Sequence, residues 1–293
     1  MLNVGIIGLG LTGSAIAKYL IEHRPDMRIV LAGAGPSSSK AGADLGALLG
    51  MSRYGVAVMP AEALPAALQA IRPEAVIDFS KPESTIGLLR HYARAGCGVV
   101  VGTTGFTPSQ QQQLQHAAGT RKFGLMYAPN ITRGVNVLMM IARLAAAYLP
   151  GHDIEIIERH HRRKTDAPSG TAAKIAGQLH AARHTGVTHH GREGMTPRQE
   201  GEIGMHAVRG GGIVGVHEVL FAGEFDEITI THRSESRLAF AAGAADAAAW
   251  VATRRGYYTV EDMIASADTQ ELFEEMPGAA LDAVEAVPAG IRR

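Results

Sequence analysis

The sequence predicts an α/β protein, with a doubly wound parallel sheet in its N-terminal part and a smaller α+β domain, built on a mixed or antiparallel sheet, inserted after it. Three observations predict this. Over residues 1–130, short and near-continuously apolar runs alternate with helical stretches, the pattern of parallel strands covered on both faces. The first of those runs ends in a glycine turn, GLGLTG, that opens a helix. After residue 130 the rhythm changes to longer strands joined by glycine-rich or acidic turns.

Taken in order, LNVGIIG, MRIVLAG, GVAVMP, AVIDFS, GVVVGTT and FGLMYA read as strands, and SAIAKYLIEH, AEALPAALQAI, PESTIGLLRHYARAG and PSQQQQLQHAA as the helices between them. A long helix over residues 135–148 leads to the strand DIEIIE and to a second helix from about Ser169. A polar, histidine-rich loop, HTGVTHHGREGMTPRQEGE, follows. The strands GMHAVRG, IVGVHEVLFAG and DEITITHR come next, and their turns imply antiparallel pairing. The helix RLAFAAGAADAAAWVATRR and the segment GYYTVEDMI are expected to return to the first domain. The boundaries expected are a dinucleotide-binding domain at 1–130 and 237–266, a substrate-binding and oligomerisation domain at 131–236, and a tail at 267–293 whose Pro and Gly follow no clear period.

Composition excludes several function classes. The 293 residues hold 28 Lys+Arg against 28 Asp+Glu, so a broad basic surface for nucleic acid is not expected. The single cysteine, Cys97, rules out an intrachain disulfide and fits a reducing cytoplasm. The apolar N-terminus lacks a basic leader and is broken by glycines, so it reads as strand and turn, not as a signal peptide. The longest apolar helical run, at 135–149, is interrupted by Arg143 and is too short to span a bilayer.

GLGLTG places Gly8, Leu9, Gly10, Leu11, Thr12 and Gly13 at the first strand-to-helix crossover, as in G-x-G-x-x-G. Glycines there permit a tight turn and let backbone N–H groups approach a pyrophosphate at the positive end of the helix, the Rossmann-type arrangement. The acidic residue that usually closes the second strand is absent from LAGAGPSSSK, where Ser37, Ser38, Ser39 and Lys40 could donate to a 2′-phosphate. A nicotinamide cofactor, NADPH or NADH with NADPH favoured, is therefore expected. Gly102, Thr103 and Thr104 after the fifth strand, and Ala128, Pro129 and Asn130 after the sixth, fall on the same carboxyl edge of the sheet.

The most chemically loaded stretch is ERHHRRKTDAPSGTAAK, residues 158–174. Ser169 is a plausible N-cap, and Gly170 leaves the first helical turn uncovered, so the N–H groups of Gly170 and Thr171 can meet a carboxylate. Arg162, Arg163 and Lys164 add positive charge. Adjacent histidines on an extended segment point to opposite sides, so His160 and His161 are not expected to share a metal, and no metal site is expected. One histidine facing an anion pocket suits a general acid. Arg237, opening the returning helix, is a further candidate, whereas His206 and His217 read as core or sheet-face residues and His189 and His190 as solvated.

HHRRKTDAPSGTA resembles the signature of the dihydrodipicolinate reductase (4-hydroxy-tetrahydrodipicolinate reductase) family of bacterial lysine biosynthesis. VIDFSKPEST, VGTTGFT, APNITRGVNV, GREG and SRLAFAAGA match in order, over about residues 3–264. The resemblance implies His160 as proton donor and Lys164 as a second catalytic cation. It implies His161 and the Gly170–Thr171 backbone as holders of the substrate carboxylates. The glycine turn, Gly102 to Thr104, and Ala128, Pro129, Asn130 and Ile131 would line the cofactor. It also implies a homotetramer that reduces a cyclic unsaturated imine dicarboxylate with NADH or NADPH. Two features depart from the family pattern: the glycine turn is one residue shorter than G-x-x-G-R-M-G and carries Thr12 near the usual arginine, and FANGA appears as FAAGA, with Ala242. A paralogous reductase of another imine acid is the alternative these departures leave, and a nucleotide sensor without turnover is a minor one.

Overall fold

The computed structural model describes residues 1–266, so the expected tail at 267–293 lies outside the described residues. The chain opens with β1 (Leu2–Ile7), α1 (Leu11–His23), β2 (Met27–Gly33), a single turn α2 (Leu45–Leu48) and β3 (Val58–Met59). It continues through α3 (Leu64–Ile71), β4 (Ala75–Asp78), α4 (Pro82–Ala95), β5 (Gly98–Val101), α5 (Pro108–Gly119) and β6 (Gly124–Tyr127). Then come α6 (Arg133–Tyr148), β7 (Asp153–His160), α7 (Gly170–Arg183), β8 (Thr188–His190), β9 (Ile203–Arg209), β10 (Gly215–Ala222) and β11 (Glu227–Ser234). The described chain closes with α8 (Leu238–Ala252), β12 (Gly256–Tyr258) and α9 (Val260–Ser266).

The first sheet has seven strands in the order β12-β6-β5-β4-β1-β2-β3, all parallel. Its strands are apolar at consecutive positions because each face buries its own core. Val4, Ile6, Ile29, Ile77, Val100 and Met126 face one cluster together with residues of α1 and α8. Ile7, Leu31, Val76, Val99 and Leu125 face the other, against α3, α4 and α5. Alternation of side chains along each strand makes both clusters necessary. The alanine-rich α8 lies on β4, β5 and β6, its small side chains permitting close approach, and β12 then extends the sheet beside β6. The expected third strand is shorter than GVAVMP, because only Val58 and Met59 pair with β2.

The second sheet has five strands in the order β11-β10-β7-β9-β8. One face packs on α6 and α7 through Ile154, Ile156, Met205, Val219 and Phe221. The expectation of antiparallel pairing holds for β10 with β11 but not for β9 with β10. Instead β7 lies between them, parallel to β9 and antiparallel to β10. The link from β9 to β10 crosses the end of β7, where Gly210 N–H donates to the His160 carbonyl (2.9 Å) and Arg162 N–H to the Gly211 carbonyl (3.2 Å). β7 supplies apolar inward side chains and so takes the centre, where both edges are paired. The histidine-rich stretch also contains β8, which pairs parallel with β9.

The glycine turn sits where the strand order reverses, at β1 between β4 and β2. Gly8 has φ +91°, and a Cβ on Gly13 would lie 1.9 Å from the Gly8 carbonyl oxygen, so the start of α1 rests directly on the turn. Gly13→Ala should therefore destabilise the fold by about 1–3 kcal/mol, the scale of an overpacked interior, read from urea unfolding midpoints. An unchanged midpoint would show that the turn yields without cost.

Candidate active site

Between the carboxyl edge of the first sheet and the inner face of the second lies a cleft of ≈ 1060 Å³. Its floor is built by register. Glu158 on β7 stands opposite His217 on β10, and His217 opposite His232 on β11, so the three lie in one row on the inner face. His160, two residues on, shares that face and ends the strand.

Glu158 is completely buried. Its Oε2 accepts from His160 Nδ1 at 2.5 Å and from Arg209 at 2.8 Å; its Oε1 accepts from Arg209 at 2.7 Å and from the Ser169 N–H at 3.0 Å. Burial would raise the carboxyl, but the bonds from Arg209, His160 and Ser169 outweigh it and hold Glu158 below the usual carboxylate range. His160 is pushed down by burial, an effect opposed by Glu158 and reinforced by Lys164 and Arg209. His217 packs edge-on against His160, with ring centroids 5.2 Å apart, and its Nε2 lies 3.2 Å from Ser169 Oγ. Burial first, and His160 second, push His217 down to about 4.

Ser169 caps α7 as expected, accepting from the Ala172 N–H at 3.2 Å. A Cβ on Gly170 would meet nothing within 4 Å, so the first turn stands open to the cleft. Among the described residues the Gly170 and Thr171 N–H groups have no hydrogen-bond acceptor. Lys164 reaches the cleft from the loop after β7, paired with Asp166 at 2.8 Å. His161 also lines the cleft. β7 stops at His160, so strand alternation no longer applies to the next residue. Among the described residues, no group of three or more His, Cys, Asp or Glu is arranged to hold a metal ion.

From the other wall, Thr12, Thr104, Pro129 and Asn130 reach the cleft, and Arg237 closes it at the start of α8. Asn130 Nδ2 donates to Thr171 Oγ1 at 2.9 Å, joining the end of β6 to the start of α7. Leu9, Ala128 and Ile131 turn their side chains into the core, Thr103 is buried and Leu11 points to solvent. Gly8, Gly13 and Gly102 are buried and Gly10 is exposed, so these glycines and the core residues offer the cleft backbone alone. The residues present fit a dinucleotide: α1 begins at Gly10 with no side-chain cap, and a Cβ on Gly10 would meet nothing, leaving its first N–H groups for an anion.

Sequence reasoning passed over Glu158 and Arg209 and placed His217 in the core or on a sheet face. The i, i+2 spacing of Glu158 and His160 on one strand was the available signal for the first. Nothing in the sequence pairs Arg209 with Glu158 across 51 positions. No helix among the described residues is long and apolar enough to cross a membrane.

The depressed His217 has a consequence for stability. The unfolded chain protonates this histidine near its ordinary value, about 6.5, while the folded protein does so only near 4. The unfolded state therefore takes up the proton first, and stability falls as pH falls from about 6.5 to 4, by on the order of 3 kcal/mol. Urea unfolding of wild type and His217→Gln at pH 7 and pH 4.5 should show a larger acid loss in wild type; equal losses would place the titration elsewhere.

The comparisons with known proteins agree with this geometry. The family model described as dihydrodipicolinate reductase, N-terminus, matches residues 2–131, and that described as dihydrodipicolinate reductase, C-terminus, matches residues 134–264. The chain is 41% identical to the 4-hydroxy-tetrahydrodipicolinate reductase of Rubrobacter xylanophilus over 91% of its own length and 99% of the relative's. It is 43% identical to the enzyme of that name from Alkalilimnicola ehrlichii, over 89% and 98% of the two chains. Among solved structures, a dipicolinate-bound dihydrodipicolinate reductase from a Paenisporosarcina species superposes with a TM-score of 0.70 at 30% identity, covering 88% of this chain and 97% of that one. This chain is therefore a member of the dihydrodipicolinate reductase family.

Proposed function

We propose that the protein reduces 4-hydroxy-tetrahydrodipicolinate to tetrahydrodipicolinate in lysine and diaminopimelate biosynthesis, with a reduced nicotinamide nucleotide. The observation that carries this reading is the position of His160. Its Nδ1 is occupied by Glu158, and its Nε2 faces Gly215 in the cleft, where a Cβ would lie 3.2 Å away. It lines the same cleft as Thr12 of the glycine turn and Gly170 at the open end of α7.

Residues 1–130 with 237–266 would bind the nucleotide, and residues 131–236 the substrate. Gly8, Leu9, Gly10, Leu11, Thr12 and Gly13 would hold the pyrophosphate on backbone N–H groups, with Gly102, Thr103, Thr104 and Ala128, Pro129, Asn130 and Ile131 along the same edge. The cofactor supplies the hydride. His161 and the Gly170 and Thr171 N–H groups would bind the substrate carboxylates, with Arg237 closing on the same charge. Loss of the 4-hydroxyl as water gives the conjugated ring; a hydride arriving at one of its carbons would leave negative charge on the conjugated neighbour, where the protonated Nε2 of His160 would give its proton, and Lys164 would stabilise the charge as it develops.

NADPH is favoured over NADH. The second strand ends at Ala34 and Gly35 without a carboxylate, and the Lys40 ammonium is held on the Leu9 carbonyl of the glycine turn. No metal is required by this chemistry. A homotetramer is the expected assembly: the face of the second sheet opposite α6 and α7 carries half-buried Ile157 and Leu220, with exposed Val208. The single cysteine, Cys97, fits a reducing cytoplasm.

Oxidation of NADPH and NADH, followed at the nicotinamide absorbance with substrate generated in situ, tests the reading. His160→Ala and Lys164→Ala should each lower turnover by about a hundredfold, the scale of a lost acid catalyst. Wild-type protein that binds nucleotide but shows no turnover would overturn it. Lys40→Ala should raise the KM for NADPH several-fold and leave that for NADH near its original value; equal effects on the two would remove Lys40 from 2′-phosphate recognition.

A further inference from the structure

The reaction needs a proton at one nitrogen of His160, and nothing in the imidazole itself selects which. The surroundings do. An ionised carboxylate only accepts hydrogen bonds, so the 2.5 Å contact with Glu158 Oε2 requires Nδ1 to carry hydrogen. Glu158 cannot rotate away, because the Arg209 guanidinium bonds both of its oxygens and the Ser169 N–H holds Oε1. Arg209 in turn donates to the Asp166 carbonyl at 2.6 Å, fixing the loop that carries Lys164.

We infer that Glu158, clamped by Arg209, is a positioning residue that sets the tautomer and the proton affinity of His160, so that the proton is released from Nε2 into the cleft. The inference rests on the reading of His160 as the acid. In the transfer the Nε2–H bond breaks, a C–H bond forms on the substrate, and the imidazolium becomes a neutral ring that keeps its Nδ1 hydrogen on Glu158. The charge balance around the ring is mixed. Glu158 favours the imidazolium from its own strand; Arg209 on β9 and Lys164 on the following loop oppose it, the latter paired with Asp166. His217 on β10 contributes no charge near neutrality, and His232 on β11 lies behind it across the sheet.

The two members of the clamp therefore act on His160 with opposite sign, which a merely structural role would not reproduce. A proton donor loses activity as pH rises through its pKa. Glu158→Gln keeps the shape but removes the negative charge, so this alkaline limb of kcat/KM should move to lower pH by about one unit. One unit is a tenfold change in the protonated fraction, so the rate above the limb should fall by about tenfold. Arg209→Met removes the opposing cation and should move the limb to higher pH.

Ring-nitrogen NMR shifts of His160, assigned by their loss in His160→Gln and recorded without substrate, give a readout independent of turnover. In the wild type the neutral ring should carry its proton on Nδ1, and its titration should shift in the two variants as the limbs do. A neutral ring protonated on Nε2, or variants that shift the titration in one common direction or not at all, would overturn the inference. Should Glu158→Gln fail to fold, the wild-type tautomer and Arg209→Met decide the matter. A wrong substrate assignment would appear as absent turnover with the expected NMR behaviour intact.

Discussion

A carboxylate with no access to water is the constraint around which the second sheet of this protein is arranged. Isolating such a charge costs several kcal/mol, and only close, well-directed partners offset it. Glu158 finds them in places far apart along the chain: Arg209 on β9, the Ser169 N–H at the head of α7, and His160 two residues away. The parallel register of β7 with β9, the docking of α7 and the orientation of the histidine thus satisfy one requirement together. Removing any one partner would leave a buried charge underserved, so the cluster is formed as a unit.

The first sheet and its helices obey a different rule. Its strands are buried on both faces, so packing alone specifies them, and its chemistry lies in backbone exposed where the sheet order reverses. The two halves are joined at a few polar points. Asn130 bonds Thr171, and Lys174 on α7 pairs with Glu261 on α9 at 2.9 Å. On the apolar side, Gly243 lets α8 approach the Ile131 carbonyl so closely that a Cβ there would lie 2.2 Å from it. These ties lie along the cleft, so the width of the site is fixed by the same contacts that hold the sheets together.

Charge in the cleft is sorted by depth. Glu158 and Arg209 pair at the floor, His217 is held neutral beside them, and Arg163, Lys164 and Arg237 line the cleft, with N–H groups at the head of α7 that have no acceptor among the described residues. At the His160 ring, Glu158 opposes the push of Lys164 and Arg209, so the same cluster carries charges of both signs.

Much of this was legible in the residues. The alternation of apolar runs and helices, the glycine turn and the Ser169 cap are local patterns, and local sterics and capping chemistry decide them. The pairing of β9 was misread because turn chemistry speaks only for neighbouring strands, and β7 comes between β9 and β10 from earlier in the chain. The sequence by itself determined the fold class and the family. Only the tertiary structure decided which nitrogen of His160 is taken by Glu158, that Arg209 clamps Glu158, and that His217 stays neutral. Those depend on strand register and on burial, and neither exists until distant segments pack.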